Sequence, residues 1–266
     1  MRPRLAILFW FYKDAEVCQN RIRHLRRNNR GTPIYGLFGG TSDDEASFHD
    51  QLGSLLDDFW SFPDEVDGNW KWQHGDALIA RWYDERGRHL DGWDTVFVAQ
   101  WDLVVTVPIS RLAPELQLDD VALSGARPVS EVDSWWPWVL GDECRRYDEF
   151  IRTVAPPTEP MCCLFIVAFL PRRFLERYAA VRLPQPELGF LEYAIPTYAR
   201  AFGHRFASDR RFQPFWARDT ANLHAPLRKR LLNAVGAELT LGIVLRERLR
   251  PGGRRVFHPY YGRYPA

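Results

Sequence analysis

The residues able to do chemistry in this chain are a few carboxylates, rings and glycines at the ends of apolar runs. Asp102 follows Thr95 to Ala99, a β-branched and aromatic run that reads as a buried strand. In open α/β sheets, ligands collect outside the carboxyl ends of the strands. An Asp there can hold a metal ion or orient a substrate; ending the strand or capping a turn is the plain alternative. Asp76 heads an apolar-periodic segment running through Ala77, Leu78, Ala80 and Trp82, where an N-cap and a ligand contact are both open. Tyr12 ends the first apolar run and offers a ring to a base. Gly39-Gly40 ends the second, giving a backbone that a ligand can approach closely. This pair is not the GxGxxG fingerprint, which argues against a nicotinamide cofactor. His49 and Asp50 lie in the polar, acidic stretch from Thr41 to Asp50, which reads as a solvated loop.

These positions need a sheet to hold them. Leu5 to Tyr12 reads as a first strand, Asp14 as an N-cap, and Val17, Cys18, Ile22 and Leu25 as the inner face of a helix. Asn29-Arg30-Gly31 stops that helix, and Pro33 to Phe38 reads as a second strand. The product of such a unit is a parallel pair with a right-handed crossover. Phe48 to Trp60 reads as loosely helical. Leu103 to Val107 is a second run after Asp102, broken by Pro108, and Val121 to Leu123 a further strand. Asp142 to Val154 reads as a helix and Cys162 to Phe169 as one buried strand. Pro171 opens a helix, Leu188 to Phe202 is helical around Pro196, and Ala225 to Arg248 is long and helical. Trp135, Trp136 and Trp138 either stack on a sugar or anchor a loop.

With 266 residues, 46% hydrophobic and 26% charged, the chain can bury a sizeable core. A net charge of +1 calls for no nucleic acid and no membrane surface. Lysine occurs only as Lys13, Lys71 and Lys229, so arginine carries nearly all the positive charge, and arginine suits diphosphate recognition. Cys18, Cys144, Cys162 and Cys163 lack metal-ligand spacing and read as reduced thiols of a cytoplasmic protein. No apolar run approaches the ~20 residues of a transmembrane segment. No convincing linker divides the chain, so a single domain over 1–266 is expected. The oligomeric state is not readable.

Alternating strands and helices, then a strand ending in Gln100-Trp101-Asp102, resemble the nucleotide-sugar-binding core of GT-A glycosyltransferases. In that family an Asp-x-Asp motif follows a central strand, and here only its last carboxylate is kept. Lys71 to Ile79 resembles the helix before that strand. Gly189-Phe190-Leu191-Glu192-Tyr193 resembles the acidic motif heading an acceptor-site helix. Val256-Phe257-His258-Pro259 resembles the late segment that supplies a histidine to the metal. The likeness spans roughly residues 4 to 260 and rests on order and spacing.

The resemblance implies a single three-layer α/β/α, Rossmann-like domain with a mixed, mostly parallel sheet. It implies a nucleotide-binding half at 1–107, and an acceptor-binding half with the C-terminal tail at 108–266. The partners implied are a nucleotide diphosphate sugar donor and a sugar or other hydroxyl acceptor. Tyr12, Gly39, Asp76, Gln100, Trp101 and Asp102 would contact the donor. Transfer breaks an anomeric carbon–oxygen bond and builds charge on the departing diphosphate. Asp102 and His258 would hold Mn²⁺ or Mg²⁺ against that charge, the imidazole favouring Mn²⁺. Glu192 would deprotonate the acceptor; an exposed first-turn carboxylate favoured by the helix dipole is its plain alternative. Gln100 brings no charge, which leaves open an enzyme that works with arginines alone. It also leaves open a non-catalytic relative that binds a sugar or a protein. Nucleotidyltransfer fits less well, since Phe11-Tyr12-Lys13-Asp14 is not a Gly-rich basic loop.

Overall fold

The computed structural model describes residues 1–207 and 239–265. In chain order the first half carries β1 (Leu5–Phe11), α1 (Ala15–Asn28), β2 (Ile34–Phe38), α2 (Ser42–Leu52), β3 (Asp58–Ser61), α3 (Gly68–Gln73), α4 (Gly75–Glu85), β4 (Thr95–Gln100) and β5 (Val104–Val105). It continues with β6 (Ala122–Leu123), β7 (Arg127–Pro128), α5 (Glu143–Thr153), β8 (Met161–Cys162), β9 (Ala168–Pro171), α6 (Arg172–Arg182) and α7 (Leu191–Ala201). After the undescribed segment come α8 (Leu241–Leu249) and β10 (Val256–Phe257).

The central sheet has six strands in the order β3-β2-β1-β4-β9-β6. The pairs from β3 to β4 are parallel, whereas β9 runs antiparallel to both β4 and β6. The sheet is therefore mixed and mostly parallel. Strict alternation along the strands divides the core in two. Ala6, Leu8, Trp10, Val96, Val98 and Leu170 face one layer, packed with α4, α6 and α7. Ile7, Phe9, Phe11, Phe97, Ala99 and Phe169 face the other, packed with α1. Helices on both faces of a largely parallel sheet are the arrangement such alternation requires when both faces are apolar.

Asp14 caps α1, its carboxylate accepting from Val17 N at 3.0 Å. Other elements depart from expectation. Residues 42–52 form a helix rather than a loop, because Asp43, Asp44 and Glu45 suit a helix N-terminus while Phe48 and Leu52 bury one face. Residues 58–61 are a strand rather than a helix, since β2 offers a parallel edge and Asp57 accepts from Ile34 N at 2.7 Å. The run 162–169 is two strands, not one. Ser124 interrupts it, accepting from Val167 N at 3.2 Å and donating to the Leu164 carbonyl, so residues 163–167 leave the sheet as a loop. Pro171 ends β9 and caps α6 instead of occupying its first turn. Of the helix expected over 225–248, residues 225–238 lie outside the described residues, and the rest contains α8. Among the described residues, no helix is long and apolar enough to cross a membrane.

Candidate functional site

The strand order places a reversal between β1 and β4. The chain builds β2 and β3 on one side of β1, then crosses to lay β4 on the other. Loops leaving the carboxyl ends of two such strands separate, and the gap between them is a ready crevice. A cleft of about 280 Å³ lies there. Trp10, Tyr12 and Lys13 enter from β1, and Gln100, Trp101 and Asp102 from β4. Opposite stand Phe165 and Ile166 from the 163–167 loop, and Phe190, Leu191 and Glu192 from the head of α7. Trp72 of α3 and the tail residues His258, Pro259 and Tyr261 complete the wall.

The tail arrives through β10, which pairs antiparallel with β5 just beyond Asp102. Tyr260 N then donates to the Asp102 carbonyl at 2.8 Å. Arg21, buried on α1, donates to the carbonyls of Tyr260 and Gly262 at 2.8 and 2.7 Å. Asn20 exchanges two hydrogen bonds with the backbone of Tyr264, at 2.7 and 2.8 Å. These contacts bring His258 Nε2 to 3.5 Å from Asp102 Oδ1, with side-chain exposures of 17% and 11%. Burial lowers the His258 pKa, favouring the neutral ring, and Asp102 partly opposes it.

Asp102 Oδ1 and His258 Nδ1 are buried without a hydrogen-bond partner. The nitrogen beside that carboxylate oxygen is the other ring nitrogen, His258 Nε2, and Oδ1 and Nε2 side by side fit a divalent cation that takes its other ligands from phosphate and water. Among the described residues, no group of three or more His, Cys, Asp or Glu side chains converges to hold a metal.

Glu192 lies on the facing wall. Its Oε1 accepts from Phe165 N at 3.2 Å, and Trp138 hydrogen-bonds its side chain. Burial pushes its pKa up to about 8, against the lowering effect of those two donors. Beside it, Trp138 packs at a tilt on Phe190 with centroids 4.3 Å apart, and Trp72 meets Trp138 edge-on and Phe190 at a tilt, both at 5.6 Å. Trp72 remains 45% exposed. Trp136 is buried in the core and Trp135 and Trp138 pack against it, so the tryptophan cluster anchors its loop, and Trp138 reaches the cleft only through Glu192.

The other wall is also aromatic. Trp101 stacks under Tyr261 at 5.6 Å and meets Tyr12 edge-on at 6.0 Å. Lys13 Nζ lies 4.8 Å from the Trp101 ring and brings a cation to the cleft.

Of the residues expected to contact ligand, Tyr12, Gln100, Trp101, Asp102, Glu192 and His258 meet in this cleft. Asp76 and Gly39 do not line it. Asp76 is fully buried in the first turn of α4, where its Oδ2 accepts from Arg182 Nε at 2.6 Å and Tyr178 OH at 2.5 Å. His74, not Asp76, occupies the cap position, and the Asp76 carboxylate is buried away from the cleft lining. Gly39 packs so closely that a Cβ would lie 3.0 Å from Trp10 Nε1 and 3.2 Å from Leu78. Its lack of a side chain serves packing under the cleft floor.

The Asp76 pair still bears on the site. Arg182 Nη1 donates to the carbonyls of Gln185 and Leu188, at 2.7 and 2.6 Å. That fixes the turn delivering Gly189 and Glu192. Gly189 has φ +87°, and a Cβ there would lie 2.7 Å from Phe150. Sequence reasoning missed Phe165 because it read 162–169 as one strand. Lys13 and Tyr261 carried a signal, since one lies two residues beyond the end of β1 and the other stands in the aromatic C-terminal tail. No protein-family model matches the chain, and no curated protein matches it.

Proposed function

We propose that this protein is a nucleotide-sugar-dependent glycosyltransferase of GT-A type, moving a sugar from a nucleotide diphosphate sugar to an acceptor hydroxyl. The observation that carries the reading is the meeting of Asp102, His258 and Glu192, from three distant segments, around one cleft at the β1/β4 reversal. Asp102 and His258 would hold Mn²⁺ or Mg²⁺, which when bound supplies charge to the departing diphosphate. Lys13 adds a side-chain cation on the same wall. Tyr12 and Trp101 offer faces to the base. Glu192 takes the acceptor proton, and its raised pKa makes it a stronger base than an exposed carboxylate. Trp72, exposed beside Glu192, offers the acceptor a stacking face.

The test is a panel of nucleotide diphosphate sugars, scored for thermal protection and for transfer or hydrolysis, with Mn²⁺ and with chelator. Protection by one donor class with Mn²⁺-stimulated turnover is expected. Absence of binding across the panel refutes the reading. Binding without turnover selects the alternative, a non-catalytic sugar-binding relative. That only two candidate cation ligands meet in the cleft among the described residues favours that alternative.

A further inference from the structure

We propose that Gln100 is a positioning residue for Glu192, acting through the peptide groups of Phe165, and that this role requires an amide rather than an acid at position 100. The inference rests on the transferase reading of the cleft.

Gln100 Nε2 donates to the Phe165 carbonyl at 2.6 Å. Phe165 N donates in turn to Glu192 Oε1 at 3.2 Å. Both backbone groups of one loop residue are thus met by side chains from opposite walls of the cleft. The rest of the loop is tied elsewhere. Leu164 N and Val167 N donate to Ser124 O and Oγ, at 2.9 and 3.2 Å, and Ser124 N donates to Val167 O at 2.9 Å. Cys163 N donates to the Glu192 carbonyl at 2.8 Å.

A carbonyl oxygen only accepts, so the group at position 100 must donate. The amide of Gln100 does. A carboxylate would set oxygen against oxygen and add negative charge on the side of the cleft that faces Glu192. The buried Phe165 carbonyl would lose its partner; the same peptide carries Ile166 N, which donates to the Leu164 carbonyl at 2.7 Å, so a shift there passes to the preceding peptide and loosens the Phe165 N–H from Glu192. An ionised acid at position 100 therefore lacks the donor that this loop requires.

The test is amide hydrogen exchange of the whole protein without substrate, read at Phe165 and at Leu164, with steady-state kinetics beside it. Gln100→Glu and Gln100→Met should each speed Phe165 exchange about 10-fold or more while Leu164, tied to Ser124, moves less than about 3-fold. Glu192→Gln keeps the acceptor oxygen and should leave Phe165 protected within about 3-fold. Both Gln100 variants should lose kcat with donor KM nearly unchanged. Unchanged Phe165 exchange, an equal rise at Leu164, or a raised donor KM at unchanged kcat overturns the proposal. The exchange is read on the protein alone. Failure of every donor to turn over would defeat the transferase reading without altering that result.

Discussion

His258 Nε2 lies 3.5 Å from Asp102 Oδ1, although the two residues come from the tail and from the end of a central strand. The tail is delivered by β10 pairing with β5 and by the side chains of Asn20 and Arg21. The pair is thus an outcome of tertiary packing, and its chemistry can be separated from its placement by substitution.

Asp102→Asn removes the charge and keeps the shape. Transfer should fall about 100-fold or more, the loss expected when charge stabilisation of a leaving group is withdrawn. Nucleotide diphosphate should still protect the variant in chelator, while the additional protection from Mn²⁺ disappears. A fully active Asp102→Asn enzyme would remove Asp102 from the mechanism.

Arg21→Met tests placement. It leaves the Tyr260 and Gly262 carbonyls without their buried donor, a loss of about 1–3 kcal/mol for each buried group left unpaired. Limited proteolysis should cut the C-terminal tail faster. The Mn²⁺-dependent part of nucleotide binding should weaken more than the metal-free part.

Glu192 gives a pH prediction with a definite sign. Burial raises its carboxyl from the ordinary 4.5 to about 8 in the fold. The ionised form is therefore less favourable folded than unfolded, and its contribution to stability is lost as pH climbs from about 4.5 towards 8. Glu192→Gln has no such charge, so its stability relative to the parent should increase between pH 5 and pH 9 in urea titrations. As a base, Glu192 must be ionised, so kcat/KM should rise through a group near pH 8. The Gln variant should lose that limb and about 100-fold or more in rate.

The Asp76–Arg182 pair predicts a stability effect without a direct chemical one. Asp76→Leu strands a buried guanidinium and should cost about 3–5 kcal/mol by chemical denaturation. Adding Arg182→Met to it should restore much of the loss. The restored protein should still turn over more slowly, since Arg182 also holds the Gln185 and Leu188 carbonyls ahead of Glu192.

Gly189→Ala should destabilise by about 1–3 kcal/mol, because φ is +87° and the added carbon would meet Phe150 at 2.7 Å. Calorimetry of that variant decides whether the turn before α7 tolerates any side chain.

Much of the fold was legible in the chain itself. Leu5 to Tyr12 and Thr95 to Ala99 are runs of strand length, and β1 and β4 match them to within one residue at the carboxyl end. Asp14 is the cap that its position suggested. What hid the rest was competition between local pattern and distant partners. The acidic 42–52 segment looks solvated until Phe48 and Leu52 find a core. The 162–169 run looks continuous because the residue that breaks it, Ser124, lies far away in sequence. Within the cleft, Asp102 could be found from the end of its strand. Asp76 could not be placed, since its role depends on Arg182 and Tyr178 from another helix.

The antiparallel direction of β9 also divides responsibility within the cleft. Because β9 runs against β4, the loop before it reaches the same edge of the sheet as the loops that follow β1 and β4. Two parts of the fold therefore meet there, a parallel block presenting Lys13 and Asp102, and the segment around antiparallel β9, with the loop before it presenting Phe165 and α7 after it presenting Glu192. Under the proposed transferase reading, changes confined to the second block should alter which hydroxyl is chosen while leaving recognition of the activated sugar intact.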